Sequence, residues 1–96
     1  MSPTPLPEAV TLVVKPDCHL CAEARRLASS ISAEFGLSVL EQSILDEHGR
    51  LRPDYAKFAE EVPVLLIDGV QRDFWTIDPE RMRRLLRDRQ SRPKND

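Results

Sequence analysis

An apolar strand-like segment followed at once by a long amphipathic segment is the feature that most constrains the fold of this chain. Within residues 9–15, the run Val10, Leu12, Val13 and Val14 is apolar and rich in β-branched side chains on both faces of an extended chain. This pattern is typical of a central strand covered on both sides. After Pro16, apolar residues recur with helical spacing until Gly36, whose position suits the end of a helix. The apolar positions of this predicted helix are Leu20, Ala24, Leu27, Ala28, Ile31 and Phe35.

The segment after the helix predicts a second strand. Residues 37–44 mix apolar with polar side chains, as an outer strand with a partly solvated face does. A helix between two strands implies a right-handed parallel crossover. The chain therefore opens with a βαβ unit.

A short helix and a β-hairpin are predicted next. The apolar residues of segment 51–59 have helical spacing, and Pro53 is tolerated only near the start of such a helix. Residues 62–67 form an apolar strand pattern, and Asp68-Gly69 is a dipeptide that closes two-residue hairpins. Residues 70–74 are the returning strand.

The last predicted helix begins after Asp78, which suits an N-cap, with Pro79 in its first turn. The order is βαβ followed by αββα, an α/β protein with a four-stranded mixed sheet and three helices. The proline-rich residues 1–8 and the polar residues 90–96 are predicted to be tails. Residues 9–89 then form one domain, as the length of 96 residues suggests.

The chain has two cysteines, which stand two residues apart where the first strand meets the first helix. Their spacing permits a disulfide that forms and breaks. Cys18 would face the unpaired N–H groups and positive end of the helix dipole, which stabilise a thiolate. Cys21 lies one turn further in, where its thiol stays protonated longer. We therefore predict that Cys18 attacks a disulfide and that Cys21 resolves the mixed disulfide.

Charged neighbours would change the stability of the thiolate in this pair. Lys15 stabilises a thiolate, whereas Asp17 disfavours a second negative charge beside it. His19 adds positive charge when protonated or a hydrogen bond when neutral.

A structural pair or half a zinc site are the alternative interpretations of the cysteines. A closed zinc site needs about four ligands. His19 lies inside the cysteine pair and His48 is the only other histidine, so such a site would need carboxylates or a second chain. We predict no metal and no cofactor, with an iron–sulfur cluster shared by two chains as a lesser alternative.

Over roughly residues 9 to 88 the chain resembles the glutaredoxins, and more closely a family of short bacterial glutaredoxin-like proteins. The motifs that carry the resemblance are Lys15-Pro16-Asp17-Cys18-His19-Leu20-Cys21, Glu61-Val62-Pro63 and Asp68-Gly69. Glutaredoxins place a lysine three residues before the first cysteine and a valine with a cis-proline before the third strand. The resemblance implies the short form of the thioredoxin fold, a cis bond before Pro63, and Val62 and Pro63 as substrate-binding residues beside Cys18.

Two departures from the family pattern concern the substrate. Glu61 stands where a threonine is usual, and no paired glycines occur between Val70 and Asp78. Both departures argue against glutathione as the substrate. Glu61 in particular would bring negative charge to a site that meets an anionic tripeptide. The neighbouring Phe74 and Trp75 are interpreted as core or rim packing.

Composition narrows the classes of partner. A formal net charge of −2 supplies no positive field for nucleic acid or anionic lipid, and no apolar stretch approaches the roughly 20 residues that span a bilayer. The start of the chain lacks the features of a secretory signal, so we expect a cytoplasmic protein. We also expect it to be a monomer. A set of arginines near the end is interpreted as a solvated helix face rather than a nucleic-acid surface: Arg81, Arg83, Arg84, Arg87, Arg89 and Arg92.

The leading hypothesis is a glutaredoxin-like thiol–disulfide oxidoreductase that reduces disulfides of proteins or of low-molecular-weight thiols through Cys18 and Cys21. The alternative is a thioredoxin-fold binding module or redox sensor, whose cysteines dock a partner or share a metal cluster. A nucleic-acid-binding accessory ranks last.

Overall fold

A computed structural model describes residues 9–91 and shows the predicted order of elements. The elements are β1 (Val10–Val14), α1 (His19–Glu34), β2 (Val39–Ser43), a 3-10 helix (Pro53–Phe58), β3 (Val64–Ile67), β4 (Val70–Phe74) and α2 (Pro79–Ser91). The α/β fold of thioredoxin type is confirmed. Helix α2 continues two residues past the boundary predicted at residue 89, and the remaining predicted tail residues, 1–8 and 92–96, lie outside the described residues.

The sheet has four strands in the order β2-β1-β3-β4. Strands β1 and β2 are parallel, whereas β1 and β3 are antiparallel, with Val13 opposite Val64. The hairpin of β3 and β4 turns at Asp68 and Gly69, whose φ angles of 52° and 81° suit a two-residue turn. The end of β1 and the start of β3 therefore lie at the same edge of the sheet.

Both faces of the sheet are covered, and side-chain alternation along the strands divides the core in two. Helices α1 and α2 cover one face, where Leu12, Val14, Leu65 and Ile67 point. The segment containing the 3-10 helix covers the other face, where Val13, Val64 and Leu66 pack with Ile44, Phe58 and Val62. All five residues of β1 are buried, as expected for a central strand.

The two α-helices begin at side-chain caps. Cys18 is the N-cap of α1, and Asp78 Oδ1 accepts hydrogen bonds from Glu80 N at 3.0 Å and Arg81 N at 3.3 Å. The predicted Asp78 cap is confirmed. Leu20, in contrast, is 44% exposed and not part of the core, because Cys21 and not Leu20 shares the buried side of α1 with Ala24 and Ala28.

Arginines of α2 help to attach this helix to the rest of the domain. Arg83 binds Glu34 of α1 with two hydrogen bonds of 3.0 Å, and Arg89 Nε donates to Asp68 at 2.9 Å. These contacts agree with a solvated helix face. Within residues 9–91, no helix is long and apolar enough to cross a membrane.

Strand β2 is attached to α1 by an ion pair whose contribution should depend on pH. Arg25 donates to both carboxylate oxygens of Glu41, at 2.7 and 2.8 Å. The hydrogen bond from Arg25 lowers the pKa of Glu41 below its ordinary 4.5. A carboxyl whose pKa is lowered by folding adds stability above its unfolded pKa, and this stability is lost as the pH falls through the folded pKa.

We expect Glu41→Gln to lower the free energy of unfolding at pH 7 by about 0.2–1 kcal/mol, because both side chains are substantially exposed. The deficit should shrink as the pH is lowered below 4.5. Urea unfolding at pH 7 and pH 3 measures it, with the exposed Glu60→Gln as control. An equal deficit at both pH values would contradict the assigned role of the ion pair.

Candidate active site

A short exposed loop leads from β1 into α1. Lys15, Pro16 and Asp17 are exposed, and Asp17 has a φ of 57°. Aspartate is one of the few residues other than glycine that enter this left-handed region routinely. The loop brings Cys18 to the edge of the sheet, at the start of the helix.

The two cysteines form a disulfide, with their Cα atoms 5.2 Å apart. Cys18 is partly exposed, whereas Cys21 is 1% exposed and belongs to the core between the sheet and the helices. Cys18 Sγ accepts a hydrogen bond from Cys21 N at 3.1 Å, so a backbone donor at the start of α1 already points at this sulfur. Solvent therefore reaches the two sulfurs unequally, and Cys18 is the accessible one.

An open cleft of about 460 Å³ surrounds the exposed sulfur. Its lining residues are Lys15, Pro16, Asp17, Cys18, His19, Cys21, Ala22 and Arg25. The structure thus brings together Lys15, His19 and both cysteines, which sequence reasoning selected. It adds Arg25, which lies seven residues after Cys18 on the same side of the helix, a spacing that sequence reasoning did not use.

The Val62–Pro63 segment lies at the same edge of the sheet as the cysteine loop. Because Val13 is opposite Val64, the same register places Pro63 next to Val14 and Val62 beside the loop that follows β1. The Val62–Pro63 peptide bond is cis. Pro63 is fully buried, and the Val62 side chain packs in the core under the 3-10 helix segment.

Backbone hydrogen bonding along this segment is uneven. Trp75 N donates to Pro63 O at 2.9 Å and to Glu61 O at 3.3 Å. Within residues 9–91, no hydrogen bond involves the N–H or C=O of Val62. Val62 therefore presents one backbone donor and one acceptor that no other atom of the described residues uses.

Glu61 lies away from the cleft around Cys18. Its side chain is half-buried, and its Oε1 accepts a hydrogen bond from Gln71 Nε2 of β4 at 3.1 Å. The structure therefore directs this carboxylate towards the outer strand rather than towards the exposed sulfur.

Phe74 and Trp75 lie on the rim of the sheet and not in its core. They are 39% and 53% exposed, and their rings form an edge-to-face pair with centroids 5.0 Å apart. Core packing was the wrong alternative for both, because they stand at the end of β4, an outermost strand whose side chains are mostly exposed. Sequence reasoning did not assign a functional role to either.

The residues from 9 to 91 contain no group of three or more His, Cys, Asp or Glu side chains arranged to hold a metal ion. Cys18 and Cys21 are the only cysteines in the chain. The arrangement around it, an exposed sulfur at a helix N-terminus bonded to a buried one, supports thiol redox chemistry.

Comparisons with known proteins agree with this geometry. The model of the family described as Glutaredoxin-like domain (DUF836) matches residues 9–87. Uncharacterized proteins of Mycobacterium tuberculosis and Mycobacterium bovis are 25% identical over 75 residues, and the match covers 77% of this chain and 77% of each relative. The X-ray structure of a structural genomics target protein from X. campestris superposes with a TM-score of 0.62 at 25% identity, covering 88% of this chain and 100% of that one.

Proposed function

The chain belongs to the glutaredoxin-like domain family, and from that premise we propose that it is a dithiol–disulfide oxidoreductase acting through Cys18 and Cys21. The observation that carries the proposal is the unequal exposure of two bonded sulfurs. Cys18 is partly exposed at the helix N-terminus, and Cys21 is buried in the first turn. Cys18 can contact a substrate disulfide, and Cys21 lies behind Cys18, out of contact with the substrate.

In the first step, the Cys18 thiolate attacks one sulfur of the substrate disulfide. A bond forms between Cys18 Sγ and that sulfur, the substrate S–S bond breaks, and the other substrate sulfur leaves as a thiolate that takes a proton from solvent. The Cys21 N–H and the helix dipole stabilise the thiolate form of Cys18. Lys15 and His19 border the same cleft and add positive charge, His19 when it is protonated.

In the second step, Cys21 loses its proton and its thiolate attacks Cys18 Sγ. The mixed disulfide breaks, the second substrate sulfur leaves as a thiolate and is protonated, and the protein is left with the Cys18–Cys21 disulfide. Two electrons have passed from the protein to the substrate. A dithiol or two monothiols of a reducing compartment such as the cytoplasm would return the protein to its dithiol form.

The backbone of Val62 is the proposed contact for the substrate chain. An extended segment on each side of a substrate cysteine could pair with the N–H and C=O of Val62 as an added strand does. Pro63 has no N–H that would compete for the same acceptor. Disulfides of proteins or of low-molecular-weight thiols are the proposed substrates, and the absence of paired glycines between Val70 and Asp78 makes anionic glutathione the less favoured one.

The reduced full chain should react stoichiometrically with a small neutral disulfide. We expect the dithiol protein to reduce hydroxyethyl disulfide, losing both thiols for each disulfide reduced, so that its intact mass falls by two hydrogens. Thiol titration and mass spectrometry measure this, with the oxidised protein as a control that has no thiol to give. A lasting mixed disulfide, or no loss of thiols, would refute the proposed dithiol mechanism.

A further inference from the structure

The Trp75 side chain is exposed but held in a fixed position. Its indole is 53% exposed, yet Nε1 donates to Glu60 O at 3.0 Å. Its φ of 64° is left-handed, a conformation rare for a bulky residue and common where function requires it. Asp73 spans the turn, because its two carboxylate oxygens accept from Phe74 N and Asp78 N, both at 2.9 Å.

The position of Trp75 relates it to the cysteine site. Its backbone N–H binds the carbonyls on both sides of Val62, so the two residues belong to one hydrogen-bonded edge. Neighbouring strands lie about 4.8 Å apart, which places the end of β4 about 10 Å from the end of β1 across β3. An extended chain advances about 3.3 Å per residue, so the second or third residue from a substrate cysteine at Cys18 can reach the indole.

Two main-chain carbonyls hold Trp75 in place. Trp75 donates through Nε1 to the carbonyl of Glu60 and through its backbone N–H to that of Glu61. Neither Glu60 nor Glu61 forms an ion pair in the described part of the chain. An exposed aromatic face suits a long cationic side chain, since the aliphatic stem covers the ring and the charge meets the ring face.

We propose that Trp75 is a substrate-binding residue that selects a polypeptide disulfide with an arginine or lysine two or three residues from the reacting cysteine. This inference rests on the proposed function, because it names the substrate class of the same site. The free backbone groups of Val62 pair with the extended polypeptide, and the ring face of Trp75 binds its cationic side chain. A rigid aromatic residue held before binding loses little conformational freedom on contact.

Two synthetic peptides test this inference. Each has one cysteine joined by a disulfide to 2-mercaptoethanol, in a glycine and alanine background, with either arginine or glutamate at the second and third positions on both sides. We expect the reduced wild-type chain to react with the arginine peptide about five times faster or more than with the glutamate peptide. Trp75→Ala should lower this ratio about threefold or more, since the ring face that the cation meets is lost.

Val70→Ala is the matched control, because Val70 is 52% exposed at the opposite end of the same strand. Its ratio should equal that of the wild type. Equal rates for the two peptides, or a ratio that Trp75→Ala leaves unchanged, would overturn the inference. Reduction of hydroxyethyl disulfide in the same experiment would leave the proposed function standing, whereas failure with every disulfide would refute the proposed function itself.

Fluorescence gives a readout that needs no substitution at Trp75, which is the only tryptophan of the chain. Each peptide is trapped on Cys18 in the Cys21→Ser variant. The emission maximum should move to shorter wavelength with the arginine peptide and stay in place with the glutamate peptide, because only the arginine stem excludes water from the indole. Identical emission from the two trapped complexes would overturn the inference.

Discussion

The Cys21→Ser variant is expected to accumulate a covalent complex with its substrate, whereas Cys18→Ser should form none above background. Without Cys21, the mixed disulfide at Cys18 has no internal thiol to resolve it. Without Cys18, the remaining sulfur is 1% exposed and packed in the core, where solvent and substrate do not reach it. Loss of the helix N-cap sulfur also removes the site where backbone N–H groups stabilise a thiolate.

The two variants are matched controls for each other, because each replaces one sulfur by one oxygen and each abolishes the internal disulfide. Mass spectrometry after incubation with a polypeptide disulfide and quenching with acid measures the adduct. Equal adduct formation by both variants would refute the assigned roles. When the same experiment uses a cell extract, the mass of the adduct identifies the partner.

Replacing Leu12 by alanine is expected to lower the free energy of unfolding by about 2–5 kcal/mol, the range for large-to-small changes in well-packed cores. Leu12 is fully buried in the central strand and belongs to the same core as Cys21. It has neighbours on both sides within the sheet, so the surrounding side chains have little freedom to fill the cavity. Such a loss is a large part of the 5–15 kcal/mol that stabilises a typical domain.

Leu40→Ala is the control for this prediction, since Leu40 is 40% exposed on the outer strand β2. We expect its loss to stay below about 1 kcal/mol, because little apolar area leaves water there. Guanidinium unfolding of both variants in the oxidised state measures the difference. Comparable losses for the two leucines would contradict the assignment of β1 as the buried centre of the sheet.

Strand and helix positions were predictable wherever the apolar residues of one segment followed the spacing of a strand or a helix. The observed β1 lies within the predicted 9–15, and β4 has its predicted limits of 70 and 74. Strand β3 begins two residues later than predicted, since Pro63 has no N–H to give to a strand ladder. The predicted short helix is a 3-10 helix, a form that spacing of apolar residues does not distinguish from one α-helical turn.

The cysteine site was predictable from local sequence, and its surroundings were only partly so. A cysteine between a strand and a helix occupies the helix N-terminus whatever else the chain does. The ion pair between Arg25 and Glu41 and the aromatic rim of Phe74 and Trp75 depend on residues far apart in the chain. No pattern within one segment reports such contacts.

The sequence by itself determined the order of the elements and the placing of Cys18 and Cys21 on the first turn of α1, because hydrophobic periodicity and helix capping act over a few residues. The tertiary structure alone decided how deeply Cys21 is buried relative to the partly exposed Cys18, and that Trp75 is exposed at the same edge. Exposure depends on which elements pack across the sheet, and that is settled when β3 pairs with β1, some 50 residues earlier in the chain, and β4 pairs with β3.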